Sequence, residues 1–313
     1  MARRPAPKRP LTTAADLAGL YGPGSEGWRL NREAALLLGA GPFALLLQVA
    51  HPLVAEGVGQ HSNFRLDPWG RLAGTLRSYL RIVYGTVPAA RAEIARLDTL
   101  HRRVTGPVND EAAAARHGAT YRARDPELAL WVHATLIHGI LVVTDRWQAP
   151  LAPDARARFY SETRPVGRLL GVPDEVLPRD IDAFDGYVDR MLSPHGPVHP
   201  SDASRVIART ILRPPLAGVV RAEVAGRLGD CAPIARQALT LVPQAAVDVL
   251  MLPAVGLLPA ATRAEYGLPW GPWERAMDAW LVTGWRFWIP RLPPSFRWFP
   301  QALAADARMA RAR

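Results

Sequence analysis

The chain has 313 residues, 49% of them hydrophobic and 8% aromatic, enough to bury a large core, so neither disorder nor a disulfide-stapled miniature scaffold is expected; the single cysteine, Cys231, has no internal partner. The formal charge of +10 is concentrated at the ends. Arg3, Arg4, Lys8 and Arg9 contribute +4 and residues 304–313 a further +2, leaving +4 for everything between. Lys8 is the sole lysine, and no aromatic–basic repeat or reading helix accompanies the arginines, which argues against nucleic acid as a partner.

Arg3-Arg4 is followed by Pro-Ala-Pro rather than an apolar stretch, so no export signal is expected and a cytoplasmic location is the simplest expectation. The apolar runs Ala34–Leu47 and Val249–Ala261 are broken by Gly and Pro, and no transmembrane segment is expected from them.

Apolar residues recur at helical spacing along the chain, and strand-like alternation hardly appears, so the predicted class is all-α, in one large helical domain. A short helix is predicted over Leu11–Leu20. Asn31 reads as the N-cap of a helix carrying Ala34–Leu37, interrupted at Gly39–Pro42 and followed by a second over Phe43–Val58. Asp67-Pro68 supplies a cap and a first-turn proline for Trp69–Tyr84; Pro88–Val104 and Asp110–His117 follow. Asp125-Pro126 repeats the device before Glu127–Trp147, and Pro153-Asp154 and Pro173-Asp174 mark two further starts. Helices near Ser201–Leu212, Ala232–Leu252 and Pro272–Trp288 complete the reading.

The chemistry-bearing residues are mainly histidines. His51 lies in an apolar helix and suits a satisfied core or helix-end position, while His61 sits in the polar cluster Gln60–Asn63. Arg71 and Thr75, four residues apart, share a helix face with Gly74 giving backbone clearance; the plainer reading is a solvated Arg71 and a Thr75 bonded to its own helix. His101 falls beside the stripe Ile94, Leu97 and Val104, where a neutral imidazole suits iron. His133 and His138 are five apart and do not form the i, i+4 pair of a helical zinc site. Covalent c-type haem, nucleotide, α/β-hydrolase and di-iron carboxylate motifs are absent, and the histidine-rich, carboxylate-poor interior suits haem better than a hard-metal site.

The segments Leu45–Pro52, His61–Phe64 and Asp67–Arg71, with Leu100–Gly106, Tyr121–Glu127 and Trp131–Thr135, closely resemble the family of latex-clearing rubber oxygenases and fungal endoplasmic-reticulum oxygenases. The resemblance spans roughly 28–270, with 1–27 as a basic tail and short helix and 271–313 as a Trp-rich extension packed on the same domain. It implies a globin-like helical core holding a non-covalent haem b, with His101 as the iron ligand. It also implies Arg71 and Thr75 near the distal face, His61 as a candidate distal base and His133 as a residue supporting the cofactor.

Rubber oxygenases carry a lysine before that threonine, where this chain has Gly74, so a lysine ligand from that position is excluded. The function implied is a haem-dependent oxygenase taking dioxygen, a small apolar and isoprenoid-like substrate and an electron donor. Two alternatives are a non-catalytic haem-binding or sensing protein and a peripheral lipid-binding helical protein. The last draws on six of the ten tryptophans, which lie between Trp270 and Trp298 among Arg286, Arg291 and Arg297. An apolar mouth to the site, a membrane contact and ordinary packing are all open to that segment.

Overall fold

The computed structural model describes residues 13–64, 66–214, 237 and 241–312. The architecture is all-α, with one two-stranded ribbon. Its first half comprises α1 (Ala14–Ala18), α2 (Glu26–Asn31), α3 (Leu36–Ala50), α4 (Pro52–His61), α5 (Pro68–Tyr84), α6 (Val87–His101), β1 (Thr105–Pro107), α7 (Glu111–His117) and β2 (Thr120–Arg122). There follow α8 (Pro126–Trp147), α9 (Pro153–Leu169), α10 (Ile181–Met191), α11 (Asp202–Leu212), α12 (Gln244–Leu257), α13 (Ala260–Glu265), α14 (Pro272–Trp288), α15 (Pro294–Arg297) and α16 (Pro300–Arg311).

Capping explains most helix starts. Asp67 accepts from the Gly70 amide ahead of Pro68, Asp125 from Glu127 ahead of Pro126, and Ser201 forms a capping box with Ser204. Each side-chain oxygen satisfies a first-turn amide that has no partner within its helix.

The core is built on the crossing of α3 and α8. Phe43, Leu46, Leu47 and Ala50 meet Leu130, Trp131, Ala134, Ile137 and Leu141, all buried. Close approach is set by small residues: a Cβ on Gly39 would lie 2.0 Å from the Trp147 ring, and one on Gly139 would lie 3.4 Å from the Ala40 carbonyl. By length and apolarity α8 alone, and the bent pair α3–α4 together, meet the requirement for a membrane span. Two-thirds of α8 is buried inside the protein, so its apolar surface is already engaged by neighbouring helices.

Several expectations are corrected. Asn31 is the last residue of α2 rather than a cap of the next helix, and its amide donates to the Gly27 carbonyl at 2.7 Å. Gly39–Pro42 does not interrupt α3, which carries Pro42 in its interior; the break comes at His51-Pro52, where α3 and α4 bend by 102°. His51 serves both ends there, its amide bonding the Gln48 carbonyl and its Nδ1 accepting from the Leu53 amide at 3.3 Å. The helix predicted over Pro88–Val104 ends at His101, because the Arg103 and Val104 amides turn back to Leu100 and His101 and feed the ribbon. Pro173-Asp174 makes a turn, and the next helix waits for the Asp180 cap. The antiparallel ribbon pairs Thr105 with Arg122, Gly106 with Tyr121 and Pro107 with Thr120. Cys231, residues 1–12 and most of the predicted stretch before Gln244 lie outside the described residues.

The C-terminal segment is woven into the rest. Arg297 pairs with buried Glu33 at 2.7 Å, the Phe299 amide donates to the Arg32 carbonyl, and Arg32 stacks on Trp298. Helix α16 then packs Ala302 and Ala305 against Trp28, Leu80 and Tyr84, with Trp28 Nε1 donating to Asp306 at 2.9 Å.

Candidate functional site

The end of α6, the ribbon and the start of α8 border an open groove of about 470 Å³, lined by His101, Arg102, Val104, Thr105, Arg122, Arg124, Asp125 and Pro126. That volume lies within the range of about 300–1,000 Å³ of small-molecule sites. The lining is basic: three guanidiniums face one carboxylate, Asp125. Arg102 and Arg124 are both held by Asp98, at 2.8 and 2.9 Å, whereas Arg122 has no carboxylate partner among the described residues.

His101 is the last residue of α6 and is open to solvent on the cavity side. It therefore does not lie on the buried stripe with Val104, which has already left the helix. Surrounding protein lowers its pKa below the usual imidazole value, and the nearby Arg71 cation lowers it further against the opposing pull of Asp98. The ring is thus neutral at neutral pH, and among the described residues it makes no hydrogen bond, so a nitrogen lone pair is available to a ligand.

Arg71 reaches this region from the first turn of α5, packed beside α6. Arg71 is exposed; surrounding protein lowers its pKa, yet an arginine remains charged, and among the described residues no carboxylate neutralises it. Thr75 is exposed on the same helix and donates to the Arg71 carbonyl at 3.0 Å, the local bond that its spacing allows. A Cβ at Gly74 would meet nothing within 4 Å, so the clearance expected there is present.

His61 stands behind the cavity wall. Its Nε2 lies 3.1 Å from the carbonyl of Thr105, a lining residue, and because a carbonyl only accepts, Nε2 carries the proton and Nδ1 is left as an acceptor. His133 is not brought to the cavity. It is buried between α8 and α9 with its Nε2 against Gly167, and burial pushes its pKa down to about 4. The structure thus groups His101 with Arg71, and Thr75 on Arg71's helix, places His61 one residue behind, and leaves His133 in the core.

Reading the sequence missed the network that holds this wall. Buried Glu56 of α4 accepts from Gln60 Nε2 at 2.7 Å and from the amide and side chain of Asn109, each at 3.1 Å. Gln60 in turn accepts from the Tyr121 hydroxyl at 3.0 Å and donates to the Pro107 carbonyl at 2.9 Å. Gly106 fits because a Cβ there would sit 2.4 Å from Gln60 Oε1. The available signal was a single acid, Glu56, in a stretch from Phe43 to Gln60 with no other acid and no Lys or Arg: a lone buried carboxylate must recruit donors. Replacing Glu56 with alanine removes the acceptor of three hydrogen bonds. The expected loss is about 3 kcal/mol, read as a lower urea midpoint, and an unchanged midpoint would refute the role assigned to this carboxylate.

The groove offers one imidazole and three guanidiniums, with Val104 and Pro126 as its apolar lining. Among the described residues no group of three or more His, Cys, Asp or Glu is placed to hold a bare ion, which needs several protein ligands. If a haem bound here, the His101 imidazole would be the residue to hold its iron, and Arg122 would be the guanidinium free of a carboxylate partner among the described residues to meet its carboxylates.

Two uncharacterized proteins, from Mycobacterium bovis and Mycobacterium tuberculosis, are each 30% identical over 153 residues, covering 47% of this chain. The match spans 57% of the length of each relative. No solved structure matches. Residues 28–289 match the family described as "ER-bound oxygenase mpaB/B'/Rubber oxygenase, catalytic domain", a span that holds the cavity, α5 and the Glu56 network. The chain belongs to that oxygenase catalytic-domain family.

Proposed function

We propose that the chain is a haem b-dependent oxygenase that uses dioxygen to oxidise a small, largely apolar, isoprenoid-like substrate. The observation that carries this reading is the neutral, unpaired His101 imidazole opening onto an arginine-rimmed cavity, with Arg71 beside it, in a chain of an oxygenase family.

His101 would hold the iron through its free ring nitrogen. Arg122 and its paired neighbours Arg102 and Arg124 would receive the propionates. The bound haem supplies the redox chemistry by which dioxygen is activated.

The chain's own contribution is charge and placement. Arg71, exposed at the surface and without a carboxylate partner among the described residues, would favour negative charge that develops near it. The Thr75 hydroxyl, now donating to the Arg71 carbonyl, carries the nearest rotatable proton on that helix and can pass it toward the same region. His61, with Nδ1 free to accept, stands one residue behind the wall as a base.

The test is oxygen uptake by the haem-loaded protein with a reductant and a panel of linear isoprenoids and other apolar olefins. Substrate-dependent uptake, lost in Arg71→Gln with the haem spectrum retained, is the expected result. Tight haem binding with no uptake on any substrate would favour the non-catalytic haem-binding reading, and a protein that refuses haem would overturn both.

A further inference from the structure

The tryptophans near the C-terminus divide into two sets with different surroundings. Trp285 packs edge-on against Trp147 at the end of α8, and Trp270 lies over Gly256 and under the Arg263 guanidinium. These two serve the core.

Trp273, Trp280 and Trp288 do not, being 56%, 70% and 63% exposed. Trp273, Trp280 and Phe287 recur every seventh residue, so at 100° per residue they fall within about 40° of one another and form a single stripe along α14. The stripe faces away from buried Asp278 and Val282, which seat the helix on the protein. Beyond the helix the chain from Ile289 to Arg297 extends the apolar surface through exposed Leu292 and Phe296, the latter 78% exposed. The indole N–H groups of Trp273, Trp280 and Trp288 have no partner among the described residues, a combination of apolar ring and thirsty donor that suits the boundary between hydrocarbon and headgroups.

The exposed charges of α14 and the segment after it have one sign. Arg291 stacks on Phe287 at 3.8 Å beside the stripe, while Arg275 and Arg286 are exposed about 140° and 120° round the same helix, reaching the face only through their long side chains. Both carboxylates of the helix are turned away from solvent: Glu274 caps the helix start through the Gly271 amide, and buried Asp278 pairs with Arg146. A second copy of the chain, itself carrying +10, would bring the same cations to the same face and no carboxylate to meet them. An anionic lipid surface meets both the rings and the cations.

We infer that α14 and the Ile289–Arg297 segment form a docking face for an anionic lipid bilayer. The aromatic stripe inserts at the level of the headgroups, and the arginines contact lipid phosphates. The face lies at the Trp147 end of α8 and the His101 cavity at the Pro126 end, about 30 Å apart along the helix. The stripe is therefore a docking surface and does not form the mouth of the cavity. The inference stands whether or not the cavity holds haem.

The experiment is co-sedimentation of the full chain with phosphatidylcholine–phosphatidylglycerol vesicles at low salt, beside pure phosphatidylcholine vesicles. The native protein is expected to bind the anionic vesicles, and Trp273→Gln/Trp280→Gln/Trp288→Gln is expected to weaken binding at least about tenfold, with the circular dichroism and thermal transition retained. Arg286→Gln/Arg291→Gln is expected to remove most of the preference for anionic over neutral lipid. Should the triple variant fail to fold, bromine-labelled lipids in the same anionic vesicles report on the native chain, where docking by this face quenches part of its tryptophan emission. Absence of binding, binding that the triple variant leaves unchanged, or unquenched tryptophans on bound protein would each overturn the inference. So would sedimentation showing that the native chain is a dimer and the triple variant a monomer, since the face would then be a self-contact.

Discussion

His101→Ala, expressed beside the native chain with ample haem precursor, is expected to lose the absorption of a histidine-ligated b-type haem and its pyridine haemochrome yield. In the native chain the imidazole is held neutral, lines the groove and has no competing hydrogen bond among the described residues, so its lone pair is available. Alanine removes the only donor of its kind in the lining. Because His101 ends its helix and is exposed, its loss leaves the core intact, and the thermal transition of the haem-free variant is expected to match that of the haem-free native protein. A variant that retained the native spectrum would assign the ligand to another residue. Imidazole added to the variant is expected to restore part of the signal, which separates a lost ligand from a collapsed pocket.

The second large effect concerns acid. His51, His133 and His138 are held neutral by burial, with pKa values pushed down to about 3, 4 and 4; the neighbouring His117 adds to the shift at His51 and Arg156 to that at His138. In the unfolded chain all three return to the ordinary value near 6.5. Between pH 6.5 and about 4 the unfolded state therefore binds protons that the folded state refuses, and stability falls as the pH falls. Stability present above pH 6.5 is lost progressively toward pH 4. At pH 5 the uptake approaches three protons per unfolding event, a slope of about 4 kcal/mol per pH unit. Urea unfolding at pH 7, 6 and 5 measures it, and a midpoint that stays constant over that range would show that these rings are hydrated in the folded protein. His138→Gln is expected to reduce the slope by about one proton.

Much of the helical frame is legible in residue order because its punctuation is local. Asp67-Pro68 and Asp125-Pro126 each place a cap oxygen and a missing N–H where a first turn needs them, and both helices begin there. The same reasoning misplaces the break near Pro42: that proline is tolerated inside α3, while His51 closes α3 with its backbone amide, caps α4 with its side chain and puts the bend ten residues later. The cavity is harder to see. His101 and Arg71 stand out through their segments, but the wall between them is a ribbon of two three-residue strands, too short to carry any periodicity. Its support comes from Glu56, Gln60, Asn109 and Tyr121, whose pairing is a property of the folded chain and spans about 50 to 60 positions. Burial of α8 is a further case, since its composition alone fits a membrane span and only its neighbours show that the apolar surface is engaged.

The clasp of α16 ties the order of synthesis to the assembly of the site. Arg308 bonds the carbonyls of Leu17 and Tyr84, at separations of 291 and 224 residues, and Asp306 receives the Trp28 indole from 278 residues away. Tyr84 ends the helix whose first turn carries Arg71. A chain emerging from the ribosome can build the α3–α8 crossing early, but the cluster that steadies α5 stays open until α16 has emerged. Full ordering of α5 therefore follows translation of α16, and a ribosome stalled before Pro300 would present a folded core with α5 still loose.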